Sequence, residues 1–313
     1  MLENTVRKVA HRLLIDTGIH PFIFGKIYYL YDKISIKNMD KNPKKAVIYR
    51  YKSIFWRKPN LRHPKSINEK LQVLKLGEYF SNTTITTCVD KYLVKKYLSD
   101  RGYQNLCAKL YGVYNRPEDI RWDELPDKFV IKCNHGCDYN IICKNKKNLD
   151  TVEVCNKLHK WLSVSMCGKE SAEFQYRNID KKIIAEEYLG DSLETYKFYC
   201  FNGEPKVLYL SRESEMGEKD FYLDFYDMEW NHLDISLASH MHYPKENQRP
   251  ENLNEMINIA KELSKPFPFV RLDLYSINSK IYFSEFTFMP TAGYMKLEPK
   301  GTDKEWGSWL HLK

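Results

Sequence analysis

The sequence lacks any run of about 18 apolar residues, the length a helix needs to cross a bilayer, so no transmembrane helix is expected. Glycine and proline are scarce, with 13 of each in 313 residues, which excludes collagen-like and low-complexity chains. No C-x-x-C pair of the zinc-site type occurs. The 8 cysteines are scattered through apolar runs and are expected to be reduced, mostly buried thiols. Cys133, His135 and Cys137 crowd together in KCNHGC, yet no second ligand pair follows at a usual distance for a metal. The opening MLENTVRKVAHRLLID has neither an unbroken apolar core nor a small-residue cleavage site, so it is not expected to be a secretory signal, and a cytoplasmic protein is expected. What is present is ordinary for a globular chain: 43% hydrophobic and 14% aromatic residues, at a length that suits one large or two medium domains.

The positive charge is concentrated at one end. Residues 1–60 hold 13 Lys and Arg against 4 Asp and Glu, a net of +9, while the remaining 253 hold 36 against 37, a net of −1. With the aromatic run HPFIFGKIYYLYDKI, this basic helical arm suits peripheral contact with an anionic membrane, placing the protein at the inner face. The plainer reading is a solvated arm packing its aromatics on the main body. No helix-turn-helix, RNA-recognition or zinc-finger pattern is present, and no nucleic-acid partner is expected.

Residues 1–60 read as helical, with breaks at His20-Pro21 and Asn42-Pro43. Ser66 with Glu69 three residues on forms a capping pattern that opens a helix through Leu76. Apolar residues at 89, 93, 94 and 97 predict a helix from Val89 to Leu98, closed near Arg101-Gly102. Strands are predicted in LCAKLYGVY, DKFVIKCN, NIICK, KIIAEEYL, TYKFYCFNG, PKVLYLS, KDFYLDFYD, FVRLDLYSI and SKIYFSEFTF, with helices over 150–163 and 253–263. Asn278-Ser279 reads as a hairpin turn. Mixed helices and mainly antiparallel strands imply an α+β protein of two or three lobes.

Four features carry chemistry. Asp90-Lys91 opens a predicted helix, where Lys91 and free N–H groups can hold phosphate. Lys132 ends a predicted strand before a loop in which Asn134, His135 and Gly136 can cover an anion, although an edge-strand lysine is the alternative. In IIAEEYL one of Glu186 and Glu187 must point inward and needs donors, which an adenine amino group or a ribose hydroxyl can supply; Tyr188 and Leu189 offer backbone groups, and a surface pair is the alternative. Strand alternation puts Arg271 with Asp273, and Glu285 with Thr287, on facing strands. Paired carboxylates there ask for a cation, either Mg²⁺ or Arg271 itself in a salt-bridged core. FMPTAGY follows, a turn whose Thr291, Ala292 and Gly293 can receive an anionic substrate.

This ordered set resembles the ATP-grasp superfamily. NEKLQ, DKY…KKY, KLYGVY, DKFVIKCNHG, IIAEEYL, YKFYCFNG, PFVRLDLY and GSWL resemble its TupA-like branch, associated with teichuronopeptide, capsule and O-antigen synthesis, over about residues 60–313. The resemblance implies an ATP-grasp fold, with the nucleotide clamped between two α+β lobes. It divides the chain into the arm (1–60), a substrate or pre-ATP-grasp region (61–125), a small ATP-grasp subdomain (126–190) and a C-terminal subdomain with the metal site (191–313). It implies ATP held by Lys91, Lys132, the loop from Asn134 through His135 and Gly136, the hinge Glu186, Glu187, Tyr188 and Leu189, and Lys197. It implies Mg²⁺, with Mn²⁺ as an alternative ion, on Asp273, Glu285 and Thr287, and Arg271 stabilising an acyl phosphate. Thr287 stands where the family usually has Asn, and Thr195 where close relatives usually have Asp. The implied activity joins an amino acid or other amine to a carboxylate-bearing sugar. A kinase on the same fold, a glycosyltransferase and a catalytically lapsed nucleotide-binding protein are the rivals.

Overall fold

The computed structural model describes residues 41–163, 172–191, 193–213, 221–237, 240 and 242–313, so the readings on residues 1–40 lie outside the described part. In chain order the elements are α1 (Pro43–Phe55), α2 (Ile67–Leu76), α3 (Thr83–Val89), α4 (Leu93–Ser99), β1 (Leu110–Tyr114), β2 (Phe129–Cys133), β3 (Asn140–Cys143), α5 (Thr151–Ser163), β4 (Ile183–Glu187), β5 (Thr195–Phe201), β6 (Glu204–Glu213), β7 (Phe221–Tyr226), β8 (His232–Leu233), β9 (Ser236–Leu237), α6 (Leu253–Ser264), β10 (Phe269–Ile277), β11 (Lys280–Thr287), β12 (Leu297–Glu298) and α7 (Thr302–Trp309). Among the described residues no helix is long and apolar enough to cross a membrane.

Local chemistry sets the boundaries. The Asn42 side chain accepts from the Lys45 N–H, and Pro43 begins α1 with its missing donor at no cost. Ser66 and Glu69 form a full capping box at α2, and Glu69 also accepts from Arg57 at 2.6 Å. The helix predicted over Val89–Leu98 begins later, as α4 at Leu93, and the helix before it, α3, was not expected from the sequence. The Asp90 carboxylate accepts from the N–H groups of Tyr92 and Leu93 at 2.8 and 3.1 Å, ending α3 and starting α4 with Lys91 in the break. Asn202-Gly203 joins β5 to β6 and Asn278-Ser279 joins β10 to β11; all four residues have positive φ, as tight hairpins of right-handed twist require.

The strands form two main antiparallel sheets. The smaller has order β1-β4-β2-β3 and the larger β11-β10-β5-β6-β7-β8, while β9 and β12 make a separate pair. In FVIKC, alternation sends Phe129, Ile131 and Cys133 to a core closed by Val154 and Leu158 of α5. Val130 and Lys132 take the opposite face, where Val130 is paired with Glu186. The larger sheet buries Tyr199, Phe201, Phe225 and Phe269 beside Trp306 of α7, with Met256 and Leu263 of α6 in the same core. Within the segment read as the arm, Val47 of α1 packs with Phe174 and Phe80, and Tyr51 lies 6.3 Å from the Tyr294 ring.

Candidate active site

The free face of the small sheet and one end of the large sheet bound a cleft of about 360 Å³. Lys91 and Lys95 reach it from the α3–α4 segment, Lys132 from β2, and Lys197 from β5. Val130, Ile142, Leu189, Leu193 and Phe283 add apolar side chains to a wall that is otherwise largely polar and charged. The sequence readings brought together on this wall are Lys91, Lys132, Gly136, Glu186, Glu187, Tyr188, Leu189, Lys197 and Glu285.

Glu186 is the inward carboxylate of the adjacent pair, 4% exposed, whereas Glu187 is partly exposed and accepts from the Lys109 N–H. Within the protein, the donors to Glu186 are Lys95 at 2.7 Å and Lys132 at 2.8 Å. Burial would raise the Glu186 pKa, but the two ammonium groups outweigh it and hold the carboxyl below its ordinary range. Burial likewise opposes the charge on Lys132, and Glu186 reverses this, raising the lysine above its usual value. Among the described residues Lys91 makes no ion pair: its ammonium donates to the Gly136 carbonyl, and burial lowers its pKa against the opposing pull of Glu285.

The loop after β2 is less of a flexible cover than its sequence suggests. Asn134 is fully buried, donating to Asp90 at 2.9 Å and to the Asp180 carbonyl, and accepting from the Lys182 N–H at 2.7 Å. His135 is 2% exposed, with its ring 5.6 Å from Tyr139 and Nε2 3.2 Å from the Trp161 carbonyl. Both side chains therefore anchor the loop from behind, and of the predicted cover loop Asn134–Tyr139 it is Gly136, at φ 89°, with Cys137 and Asp138 that line the cleft. KCNHGC does not gather three metal-ligand atoms, and Cys133 and Cys137 are free thiols.

On the large sheet, Glu285, Asp273, Lys197 and Tyr209 form one cross-strand row. Asp273 is fully buried; its oxygens accept from Arg271 Nε and NH2, both at 2.7 Å, and from Lys197 at 2.9 Å. Arg271 also donates to Glu285 at 3.2 Å and Thr287 at 3.0 Å. Burial raises the Asp273 pKa, and Arg271 with Lys197 overcomes this and lowers it. Arg271 and Lys197 thus form a salt-bridged cluster with Asp273, which Arg271 extends to Glu285. Arg271 lies behind Glu285 and not on the cleft wall.

The turn Thr291-Ala292-Gly293 is placed away from the cleft wall, with φ of 49°, 55° and 76°. Its carbonyls face α2: Lys75 donates to Ala292 at 2.7 Å and Gln72 to Gly293 at 2.6 Å, while Asn68 donates to Met295 at 2.8 Å. This clamp was not visible in the sequence, though Asn68, Gln72 and Lys75 share one helical face by spacing. Lys95 was also missed; its signal was its place four residues after Lys91 in a basic, apolar run.

A family model described as TupA-like ATPgrasp matches residues 69–311. Among curated proteins none matches. A D-alanine–D-alanine ligase from Bacillus anthracis complexed with ATP is 17% identical with a TM-score of 0.40, over 64% of this chain and 55% of that one. An L-amino acid ligase from Bacillus licheniformis is 12% identical with a TM-score of 0.46, over 82% of this chain and 57% of that one. The chain spans little more than half the length of these solved ligases.

Proposed function

This chain belongs to the TupA-like ATP-grasp family, and from that premise we propose that it is an ATP-dependent ligase that joins a carboxylate to an amine. The observation that carries this reading is the convergence of Lys91, Lys95, Lys132 and Lys197 on one cleft between two sheets. An ATP polyphosphate would draw Lys132 and Lys91 from Glu186 and the Gly136 carbonyl, and the 186–190 segment would border the adenine. Such charge-assisted contacts to phosphate are stronger than neutral hydrogen bonds.

In the first step an oxygen of the substrate carboxylate attacks the γ-phosphorus, the bond to the bridging oxygen breaks, and ADP leaves with the electron pair. In the second, the amine nitrogen attacks the acyl carbon, the C–N bond forms, and phosphate departs as the nitrogen loses its proton to solvent. Lysine contacts would stabilise the charge that builds on the transferring group. Arg271 would act as a positioning residue, holding Glu285 and Thr287.

Mg²⁺ suits Asp273, Glu285 and Thr287 in kind, since all three offer oxygen. Glu285 lies on the cleft wall, and Thr287, 3.0 Å from it, adjoins that wall without lining it. Both Asp273 oxygens are already engaged by Arg271 and Lys197. We therefore assign the ion to Glu285 and Thr287, with Asp273 holding the two cations. When bound, Mg²⁺ would offset phosphate charge. We assign the carboxylate to a uronic acid of a surface-polysaccharide precursor and the nucleophile to an amino acid or other amine, supported by the family resemblance.

The test is binding of ATP and of sugar nucleotides, each with and without Mg²⁺, followed by ADP and phosphate release with panels of acids and amines. Expected are ATP binding weakened about tenfold or more in Lys132→Ala, the worth of one charged hydrogen bond, and phosphate release that requires both acid and amine. ADP formation with a stable phosphorylated acceptor would point to the kinase. Binding of sugar nucleotides alone would overturn the ligase.

A further inference from the structure

Among the described residues, one group of three His, Cys, Asp or Glu brings its ligand atoms within 4.8 Å of one another: Asp224, His232 and His242. None of these residues takes part in the cleft. Asp224 is in register with Leu210, Tyr196 and Leu274, the row adjacent to that of Asp273, and so lies on the opposite face of the large sheet. Its strand, β7, is three positions from β10, next to the edge strand β8.

The chemistry of the group is specific. Asp224 Oδ1 is 3.1 Å from His242 Nδ1 and 3.7 Å from His232 Nε2. A tetrahedral ion with ligand bonds of about 2.0–2.2 Å needs ligand atoms roughly 3.3–3.6 Å apart, and the two spacings bracket that range. The other oxygen, Oδ2, accepts from the Tyr243 N–H at 3.2 Å and from Asn247 Nδ2 at 2.9 Å. These two donors fix the carboxylate's orientation, as outer partners do at metal sites. The Asp224 side chain is 5% exposed, and among the described residues its ion-pair partners are both histidines. The imidazoles are about half exposed, leaving a path for the ion and room for water as a fourth ligand.

We propose that Asp224, His232 and His242 bind a divalent transition ion of the zinc type. Two imidazoles and one carboxylate favour Zn²⁺ or Co²⁺ over Mg²⁺, which prefers oxygen ligands alone. The site is thus chemically distinct from the carboxylates of the cleft. Its ligands come from β7, from β8 and from the segment beyond β9, so the ion staples the far edge of the large sheet across three stretches of chain.

The experiment uses the full chain after treatment with a chelator, titrated with Co²⁺ and then Zn²⁺, with absorption and melting temperature as readouts. Expected is one equivalent of Co²⁺ with the visible absorption of a tetrahedral ion, displaced by Zn²⁺, and a raised melting temperature. His232→Ala and His242→Ala, both at exposed positions, should each lose that equivalent while keeping the nucleotide response of the parent. Wild-type protein without the band, or a band that persists in both variants, overturns the site. Asp224→Asn is the less decisive variant because that carboxylate is buried and supports Tyr243 and Asn247 whether or not an ion is present.

Discussion

Asp273 sits at the centre of a buried charge network, and its energetics are set by desolvation. A carboxylate taken fully out of water is tolerable only with its partners present, and here Arg271 grips it bidentately while Lys197 covers the second oxygen. Removing one partner leaves an uncompensated buried charge. Arg271→Met should therefore cost about 3–5 kcal/mol in chemical denaturation, and adding Asp273→Asn should recover part of it. A double mutant no better than the single would remove the coupling. The pH dependence follows from the direction of the shift. Asp273 has a lowered pKa in the folded state, so its contribution is present above the ordinary Asp value of about 4 and is lost as pH falls through the lowered value. In Arg271→Met the carboxyl loses its leading partner, its folded pKa rises, and the acid limb of the stability profile should move to higher pH. An unmoved acid limb would assign the shift to Lys197 instead.

At the scale of elements, α7 meets the start of α2 so closely that no side chain fits between them. A Cβ on Gly307 would lie 2.1 Å from the Lys65 carbonyl oxygen and 2.8 Å from the Ser66 backbone. Alanine would gain about 1 kcal/mol of helix propensity there, yet the obstacle is backbone at a capped helix start, which cannot swing aside as a flexible side chain would. Gly307→Ala should lose about 2 kcal/mol or more in net stability, read from the denaturation midpoint; a neutral or stabilised variant would show that α7 is not seated against α2. Contacts of this kind mark the limit of what a sequence shows. The β10–β11 hairpin, the capping box and the faces of β2 and β10 were legible, because two-residue alternation and turn chemistry are local. The late start of α4 was missed because apolar spacing began at Val89, while the deciding event was one Asp90 carboxylate accepting from the amides of Tyr92 and Leu93, and α3 was missed because its threonine-rich run carries little helical pattern. The alternatives for Arg271, metal site or salt bridge, could not be separated by spacing, since both need the same residues on the same faces. The α2 clamp on the 292–295 carbonyls and the Asp224–His232–His242 group join residues brought together only by packing.

Across the whole molecule, the cleft gathers its cations from bodies with separate hydrophobic cores. The small sheet and α5 form one core and the large sheet with α6 and α7 another, and the chain enters the small sheet at β1 and leaves it after β4. In contrast, α2 is tied to the far end of the chain by Asn68, Gln72 and Lys75, which binds the two termini of the described fold to the large body. A nucleotide held by Lys132 on one side and Lys197 on the other adds a link between bodies that otherwise share few strands, and each lysine gains only if both sides are in reach. The expected consequence is closure. At a concentration about 100 times its Kd, Mg-ATP adds about 2.7 kcal/mol, which for a chain of this size raises the melting temperature by about 4 °C. Solution scattering with a non-hydrolysable analogue should show a smaller radius of gyration at saturation, and Lys132→Ala should lose both changes at the same nucleotide concentration. A melting shift without compaction would leave the nucleotide bound to one body only, and would remove the bridging role from Lys197 while sparing that of Lys132.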